Sequence, residues 1–309
     1  MDFLITGATG FIGQKLVGQL LARGDSVNYL ARHRSQTLDP RAAFHSWDGS
    51  NSAAPVDSLP RLDTVVHLMG EPVAQRWTPK VKDRIRRSRI QATRGLVSGI
   101  ASLRYKPSVL VSASAVGYYG NRGSEVLTEA SMPGAGFLAD VCINWEYEAM
   151  RARDLGLRVV MVRIAAVLGR DGGALAQMLP PFRWGVGGRF GNGKQWMPWI
   201  HIDDLVRLLL FAADSNVRGA LNGSSPQPVT NAEFTRTLGR AIHRPTLLPI
   251  PRFAVNLALG EMSDFLFDSL RVVPAAVENA GFRFEYPELG QALAEIVGKG
   301  VATGPVRKP

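Results

Sequence analysis

The N-terminal stretch "MDFLITGATGFIG" (Met1–Gly13) decides the fold. An apolar run ends at Gly7, and Gly10 and Gly13 follow at G-x-x-G-x-x-G spacing before an amphipathic segment. This order is typical of a buried strand that turns tightly into a helix, whose free N–H groups bind a pyrophosphate. The stretch therefore predicts a dinucleotide-binding unit. The residues predicted to contact the phosphates are Gly7, Thr9, Gly10, Phe11, Ile12 and Gly13.

The second predicted strand, within "SVNYLAR" (26–32), indicates which dinucleotide fits. An acidic residue at the end of this strand would bind the ribose hydroxyls of NAD. Arg32 and Arg34 stand there instead, with Ser35 beside them, and guanidinium groups suit a dianionic 2′-phosphate. We therefore expect NADP(H), with Arg32 as the principal contact. The alternative is that one or both arginines are solvated loop charges.

Apolar runs alternate with helical segments along the first half of the chain. The runs "LDTVVHLMG" (62–70), "KPSVLVSASAV" (106–116) and "GLRVVMVRIAAVLG" (156–169) are typical of parallel strands that are buried on both faces. Helical segments at 81–102 and 137–155 separate them. The pattern predicts an α/β fold, a Rossmann-type doubly wound parallel sheet with a smaller C-terminal substrate lobe.

The composition of the chain changes after Gly169, where glycine and proline become frequent. A helix capped by Asp203 or Asp204 follows this region. The predicted division is an NADP-binding Rossmann core (1–169), a substrate-loop region (170–200), a segment that returns to the core (201–221), a small C-terminal lobe (222–297) and a disordered tail (298–309).

The composition is that of an ordinary globular protein, with 309 residues, 46% hydrophobic and 20% charged. The net charge of +10 favours anionic partners. The basic residues are mostly scattered rather than gathered on one exposed face, so we do not expect nucleic acid as a partner. A small-molecule substrate is expected instead, and the sequence leaves the oligomeric state open.

Several kinds of site and location are not expected. No apolar run reaches the roughly 18 residues that would span a bilayer, and the N-terminus lacks the features of a signal peptide. No membrane association is therefore expected. Cys142 is the only cysteine, which excludes an intrachain disulfide, so a reducing, cytoplasmic setting fits. The five histidines are scattered without ligand spacing, so no metal site is predicted.

Arg89 lies on an otherwise apolar helix face, together with Val81, Ile85 and Ala92. A buried arginine without a partner would be very unfavourable. We therefore expect Arg89 to reach an anionic or polar group inside the protein, and the cofactor is the nearest candidate. The alternatives are an ion pair with a local carboxylate such as Glu71, or a side chain that turns outward.

Several stretches resemble, in order, the landmarks of the short-chain dehydrogenase/reductase superfamily. They are similar to its extended type, which includes NAD(P)-dependent sugar epimerases and dehydratases: "TGATGFIG" (6–13), "VVHLMGEPV" (65–73), "VSASAVGYYG" (111–120), "VRIAAVLG" (162–169) and "WIHIDDL" (199–205). More narrowly, residues 178–205 and 257–289 resemble an atypical epimerase-family subgroup with a C-terminal domain of unknown function. The resemblance runs from Met1 to about Val297, and it implies the fold more specifically than the reaction.

The resemblance implies further cofactor contacts beyond the phosphate loop. Asp48 resembles the acid that contacts adenine, and Arg89 takes the place of a structural asparagine. Other implied contacts come from the ends of later strands, namely Leu68, Met69, Gly70, Ser112 and Val167.

The catalytic residues of the family are only partly present. Members of the family exchange a proton through a tyrosine, helped by a lysine four residues later, and hold the substrate oxygen with a serine or threonine. Ser114 resembles that serine, with Ser112 as second choice. Alignment by the helix places Leu138 at the tyrosine and Cys142 at the lysine. Leucine cannot transfer a proton, and cysteine cannot supply a positive charge.

Other residues are weighed for the missing roles. Tyr118 or Tyr119 would be an acid, although packing or substrate contact is the simpler interpretation. Cys142 would be a reactive thiol, although a lone cysteine on a helix is more often a small buried hydrophobe. The predicted substrate wall consists of Lys194, Gln195, Trp196 and His201, where His201 is either a general acid or a packed structural histidine.

The sequence thus supports two functional hypotheses. The first is an NADP(H)-binding, epimerase-family oxidoreductase without the usual tyrosine–lysine pair, acting on a sugar nucleotide or a small carbonyl compound. The second is a catalytically silent NADP(H)-binding sensor or regulatory protein.

Overall fold

A computed structural model describes residues 1–49, 52–246 and 248–298. The strands in these residues are β1 (Asp2–Thr6), β2 (Ser26–Ala31), β3 (Ala43–Ser46), β4 (Thr64–His67), β5 (Val109–Ala115), β6 (Val126–Leu127), β7 (Arg158–Ile164), β8 (Ala166–Leu168), β9 (Trp196–Met197), β10 (Trp199–His201), β11 (Gly219–Gly223), β12 (Val229–Thr230) and β13 (Arg271–Val272). Of the predicted disordered tail, 298–309, only Gly298 falls within the described residues.

Helices connect these strands. In the same residues they are α1 (Phe11–Ala22), α2 (Pro79–Ser102), α3 (Phe137–Met150), α4 (Gly173–Arg183), α5 (Ile202–Asp214), α6 (Asn231–Ala241), α7 (Arg252–Leu259), α8 (Met262–Phe267), α9 (Ala275–Asn279) and α10 (Leu289–Gly298). Short 3-10 helices lie at Val116–Tyr119 and Arg151–Leu155. None of the helices in the described part of the chain has the length and apolar character needed to cross a membrane.

Seven of the described strands form one sheet in the order β11–β7–β5–β4–β1–β2–β3. Every pairing between neighbours in this sheet is parallel. The strand order reverses between β1 and β4, which makes their carboxyl ends the switch point where such sheets bind ligands. The predicted Rossmann-type fold is confirmed.

Both faces of the sheet are buried, as the continuous apolar runs predict. On β1, Phe3 and Ile5 pack into the cluster that includes α1 and α5. Leu4 points the other way, into the cluster that includes α2. This alternation follows from the two-residue period of a strand. The helices on either face therefore leave the carboxyl edge of the sheet as the place for a site.

The rest of the described chain forms smaller clusters beside the sheet. Trp199 and Phe234 are fully buried in the cluster that joins α4, α6 and α10. Short strand pairs tie the pieces together, as β8 with β10, β9 with β12, and β6 with β13. The division of the chain into lobes stays a prediction.

The start of α5 corrects one expectation. The residue that caps this helix is His201, whose Nδ1 accepts the N–H of Asp203 at 3.2 Å. Asp203 and Asp204 lie in the first turn instead. The prediction of an aspartate cap was wrong because a histidine ring nitrogen takes the role that a carboxylate usually has.

Candidate cofactor and substrate site

The turn between β1 and α1 admits only glycine at two positions. Gly7 has φ +74°, and a Cβ there would lie 2.7 Å from the backbone of Leu68. A Cβ on Gly13 would lie 2.2 Å from the carbonyl oxygen of Gly7. Gly10 precedes α1 without a side-chain cap. The uncapped N–H groups and the positive end of the helix dipole therefore form a place for an anion, as the spacing predicts.

The predicted 2′-phosphate site lies just after β2. Arg32 and Arg34 are exposed, and the guanidinium of Arg34 lies 5.8 Å from the centre of the Phe44 ring. The side chain of Arg32 makes no hydrogen bond or ion pair with the described residues. Ser35 donates its N–H to the hydroxyl of Tyr29 at 3.1 Å. Two exposed cations and no acid therefore directly follow this strand, which fits an anionic ligand.

A buried network that the sequence reasoning missed connects the ends of β1 and β4 to α2. Thr93 donates its hydroxyl to the carbonyl oxygen of Arg89 at 2.6 Å. Nε2 of His67 then donates to Thr93 at 2.9 Å, and Nδ1 accepts from Thr6 at 2.6 Å. Burial, helped by the charge of Arg89, lowers the pKa of His67 to about 3. The neutral imidazole therefore links the ends of β1 and β4 to α2 at the switch point.

Arg89 is bonded differently from the predicted local ion pair. Its Nη1 donates to the carbonyl oxygen of Glu71 at 3.0 Å, whereas the carboxylate of Glu71 pairs with Arg84 at 3.2 Å. The guanidinium lies 5.2 Å from the ring centre of Trp145, and a Cβ on Gly70 would lie 3.1 Å from its central carbon. Burial lowers the pKa of Arg89. The Glu71 ion pair that we considered is therefore not formed.

Ser114 belongs to a buried chain of polar groups. It donates its hydroxyl to Oε1 of Glu146 at 2.7 Å. Arg163 donates to both oxygens of that carboxylate, at 2.8 and 2.9 Å, and also to the hydroxyl of Tyr119 at 2.9 Å. Tyr119 in turn donates to Oδ1 of Asn222 at 2.7 Å. These side chains are all buried, and they join the ends of β5, β7 and β11 to α3.

The role of Glu146 could have been noticed in the sequence. Leu138, Cys142 and Glu146 lie four residues apart, which places them on one face of α3. A carboxylate at the third of these positions has to find a cation, because a buried unpaired charge is very unfavourable. What the sequence does not show is that Arg163 comes from β7 to meet it.

The two tyrosines have different surroundings. Burial raises the pKa of Tyr119 to about 12, and its hydroxyl is already bonded. The ring of Tyr118 lies against the guanidinium of Arg163 at 3.5 Å from its centre. The hydroxyl of Tyr118 bonds to none of the described residues. Of the pair, only Tyr118 therefore has a hydroxyl free to meet a ligand.

The remaining residues predicted near the chemistry are buried. Burial raises the pKa of Cys142 to about 12, with a further contribution from the charge of Glu146. A thiol that stays protonated at neutral pH is a poor nucleophile, so the structure gives no support to a reactive cysteine. Ser112 donates its hydroxyl to the carbonyl oxygen of Ala113 at 3.1 Å, and Val167 is buried on β8.

The predicted substrate wall is partly occupied with bonds to the protein. Lys194 is exposed, with its backbone N–H bonded to Asn192 at 2.9 Å. Gln195 donates to the carbonyl oxygen of Leu266 at 3.4 Å. The guanidinium of Arg271 lies 4.5 Å from the ring centre of Trp196. Their role toward a substrate stays a prediction.

His201, the last residue of that predicted wall, is only 1% exposed. Its Nε2 lies 3.2 Å from a carboxylate oxygen of Glu295, and its ring stacks on Tyr286 with centres 4.0 Å apart. Burial lowers its pKa, so the ring is neutral and its two nitrogens serve the helix cap and Glu295. These contacts favour the structural interpretation over the general acid. Among the described residues, no group of three or more His, Cys, Asp or Glu side chains is arranged to hold a metal.

A cavity of about 370 Å³ opens at the start of α3. Leu138 lines it, whereas none of the four residues of the predicted wall does. The charged residues of its lining are Lys82, Glu261, Asp264 and Asp268. The last three come from the C-terminal part of the chain, whose contribution the sequence reasoning did not foresee.

The charges of the cavity are unequally paired. Lys82 pairs with Glu261 at 2.6 Å, and Arg252 pairs with Asp264 at 2.6 Å. The carboxyl of Asp268 makes no hydrogen bond or ion pair with the described residues. Burial and the nearby charge of Asp264 raise its pKa. Asp268 is therefore the carboxyl of the cavity that is available for a ligand.

Comparisons with known proteins agree with this geometry. The sequence model of the NAD-dependent epimerase/dehydratase family matches residues 3–223, and a domain of unknown function (DUF1731) matches residues 250–296. The chain is 39% identical over 302 residues to an Arabidopsis thaliana protein, the chloroplastic homolog of epimerase family protein SDR39U1, covering 96% of this chain and 87% of that protein. It is 40% identical over 300 residues to epimerase family protein SH2119 of Staphylococcus haemolyticus, covering 96% and 99%.

Solved structures are similar as well. The crystal structure of human epimerase family protein SDR39U1 (isoform 2) with NADPH superposes with a TM-score of 0.86 at 34% identity, covering 96% of this chain and 99% of that one. Its ligand is the cofactor that the arginines after β2 predict here. UDP-glucose 4-epimerase of Thermotoga maritima, solved with UDP-glucose, gives a TM-score of 0.78 at 20% identity, covering 96% and 98%, and shows the fold alone.

Proposed function

Because the chain belongs to the NAD-dependent epimerase/dehydratase family, we propose that it is an NADP(H)-dependent oxidoreductase acting on a small, uncharged carbonyl compound. The observation that carries the proposal is the glycine turn at the uncapped start of α1, followed by arginines rather than an acid after β2. The NADPH bound to the human relative supports the same cofactor.

The residues at the switch point fit a dinucleotide phosphate. Backbone atoms occupy the space that a Cβ on Gly7 or Gly13 would fill. Glycine at these positions therefore allows the close turn that places a pyrophosphate at the start of α1. Arg32 would bind the 2′-phosphate, with Arg34 and Ser35 beside it. The other contacts that we propose are Asp48 at the adenine, and Leu68, Met69, Gly70, Ser112 and Val167 along the rest of the cofactor.

The cavity beside Leu138 is the substrate pocket that we propose. Its volume of about 370 Å³ lies near the lower end of the about 300–1,000 Å³ of small-molecule sites. The one cation among the described residues of its lining, Lys82, is already paired with Glu261, so the cavity offers a nucleoside diphosphate no unpaired positive charge. This pairing favours a small neutral carbonyl compound over a sugar nucleotide.

The proposed reaction is reduction, for which bound NADPH supplies the hydride. The carbonyl oxygen of the substrate then needs a proton, and Leu138 cannot give one. Asp268 lines the same cavity and has a raised pKa, so its protonated form persists to higher pH than that of an ordinary aspartate. We assign the proton to Asp268. The hydroxyl proton of Ser114 is already donated to Glu146, so Ser114 does not donate it to the substrate carbonyl in this arrangement.

A specific observation also favours the second candidate, a catalytically silent NADP(H) sensor. In the alignment that the resemblance implies, Leu138 and Cys142 take the places of the proton relay on α3, and the thiol is protonated and buried. A protein that only binds the cofactor would tolerate these residues. Turnover separates the two candidates.

Replacing Arg32 with alanine is expected to weaken NADPH binding by about 10–100-fold, because a charge-assisted hydrogen bond contributes about 1.5–3 kcal/mol. The dissociation constant for NADH should not change, since NADH lacks the 2′-phosphate. Titration of both cofactors by fluorescence measures this. Arg236→Ala, which removes an exposed cation from α6, is the control for net charge. Equal affinity of the wild-type protein for NADPH and NADH would refute the cofactor assignment.

Turnover itself is tested by NADPH oxidation against aldehydes, ketones and sugar nucleotides. The wild-type protein should reduce a neutral carbonyl compound, and Asp268→Asn should lower kcat while the dissociation constant for NADPH stays the same. Because the pKa of Asp268 is raised, kcat should hold at low pH and fall as the pH rises through that pKa. Tight NADPH binding without turnover of any compound would support the silent sensor instead.

A further inference from the structure

Arg89 has more hydrogen-bond donors than the described residues use. A guanidinium carries five N–H donors. Nη1 donates to the carbonyl oxygens of Glu71 and Ile85, at 3.0 and 3.3 Å. Nε and Nη2 bond to none of the described residues, yet neither nitrogen is fully enclosed by the protein. Both nitrogens therefore reach open space, while the rest of the side chain is packed in the protein.

The surroundings of Arg89 locate that open space. The guanidinium lies beside Gly70, which follows β4, where an added Cβ would come within 3.1 Å of it, and it faces Trp145 on α3. It also lies close enough to Cys142 for each group to affect the pKa of the other. The ends of β4 and β5 lie side by side, with His67 paired to Ser112. Arg89 therefore opens toward the carboxyl edge of the sheet on its β4–β5 side.

The two halves of a dinucleotide fall on opposite sides of the switch point, with the pyrophosphate at the helix after β1. Here the arginines after β2 fit the adenosine half, so the second nucleoside lies over β4 and β5. A guanidinium presents two parallel N–H donors, and each hydroxyl oxygen of a ribose can accept one of them. We propose that Nε and Nη2 of Arg89 bind the hydroxyls of the ribose that carries the nicotinamide. This proposal rests on the cofactor proposed above.

This role also puts a cation beside Cys142, which cannot supply one itself. The positive charge reaches the site from α2 instead of α3. A purely structural Arg89 would only fasten the loop after β4 through Glu71. Such a residue would affect stability, but it would not distinguish ligands by the presence of a second ribose.

Three ligands isolate that ribose: 2′-phospho-ADP, which lacks it, 2′-phospho-ADP-ribose, and NADP⁺. With Arg89→Met, the affinity for the two ribose-containing ligands should fall by about 10–100-fold, the loss expected for hydrogen bonds to a charged group. The affinity for 2′-phospho-ADP should be unchanged. Isothermal titration measures all three without any turnover. Arg32→Ala is the matched control, since it should weaken all three equally.

Two results would overturn the inference: an equal loss for all three ligands with Arg89→Met, or no loss for any. If that variant does not fold, Arg89→Lys replaces it, because lysine keeps the positive charge but lacks the two parallel N–H donors of the guanidinium. The same selective loss is expected there, and an unselective result again contradicts the role. Failure of the wild-type protein to bind even 2′-phospho-ADP would instead refute the proposed cofactor.

Discussion

Replacing Arg163 with methionine is expected to lower the free energy of unfolding by about 3–5 kcal/mol, the loss typical of breaking a buried ion pair. Arg163 donates two hydrogen bonds to the carboxylate of Glu146, and both side chains are buried. The variant leaves that carboxylate without a cation, and it also removes the bond to Tyr119. Urea-induced unfolding followed by circular dichroism measures the change.

Two further variants test whether the loss of stability comes from the buried, unpaired carboxylate of Glu146. Arg163→Met combined with Glu146→Leu should recover much of the stability, because the unpaired charge is gone. Arg87→Met breaks an exposed pair with Asp83, whose atoms lie 2.9 Å apart, and should cost less than about 1 kcal/mol. If Arg163→Met costs no more than Arg87→Met, the buried chain does not hold the ends of β5 and β7 together.

Replacing Gly13 with alanine is expected to weaken NADPH binding by about a hundredfold, because a displaced α1 loses N–H hydrogen bonds to the pyrophosphate that contribute about 1.5–3 kcal/mol each. The added Cβ would lie 2.2 Å from the carbonyl oxygen of Gly7 and 2.6 Å from Cα of Ala8. Both contacts are backbone, so α1 has to move away from β1. Overpacking of this kind also costs about 1–3 kcal/mol of stability. Fluorescence titration and thermal unfolding measure the two effects.

Gly18→Ala is the matched control for that variant, since it adds the same methyl group to the same helix. A Cβ on Gly18 meets nothing within 4 Å. This change should stabilise the protein by up to about 1 kcal/mol through helix propensity and leave the affinity for NADPH unchanged. If both alanine variants bind NADPH like the wild-type protein, the close packing of the turn is not what positions the cofactor.

The fold and the family could be predicted from the sequence because their signals are local. The strand, glycine turn and helix at Met1–Ala22 follow one another directly, and the apolar runs of parallel strands need no knowledge of their neighbours. The comparisons confirm the resemblance to NAD(P)-dependent epimerases. The glycines of the phosphate turn follow from the same local logic, since the geometry of the turn constrains each of them.

The rest of the site depends on partners far apart in the chain. Ser114 is on β5, Glu146 on α3 and Arg163 on β7, so their contact exists only once the sheet is assembled. His201 meets Glu295 across 94 residues of sequence. The cavity takes Asp268 from the C-terminal part of the chain. Periodicity and motif spacing carry no information about such pairings, whereas they do locate the helix on which Glu146 lies.

The neutral imidazole of His67 makes the folded state sensitive to acid through the unfolded chain. Its pKa is lowered to about 3 in the folded protein, whereas an unfolded histidine titrates near its ordinary 6.5. Below about pH 6.5 the unfolded chain binds a proton at His67, whereas the folded protein does not. Each further unit by which the pH falls then lowers the free energy of unfolding by about 1.4 kcal/mol, until the pKa of the folded state is reached. The hydrogen bonds that His67 makes at the switch point therefore make the stability of the whole fold depend on pH.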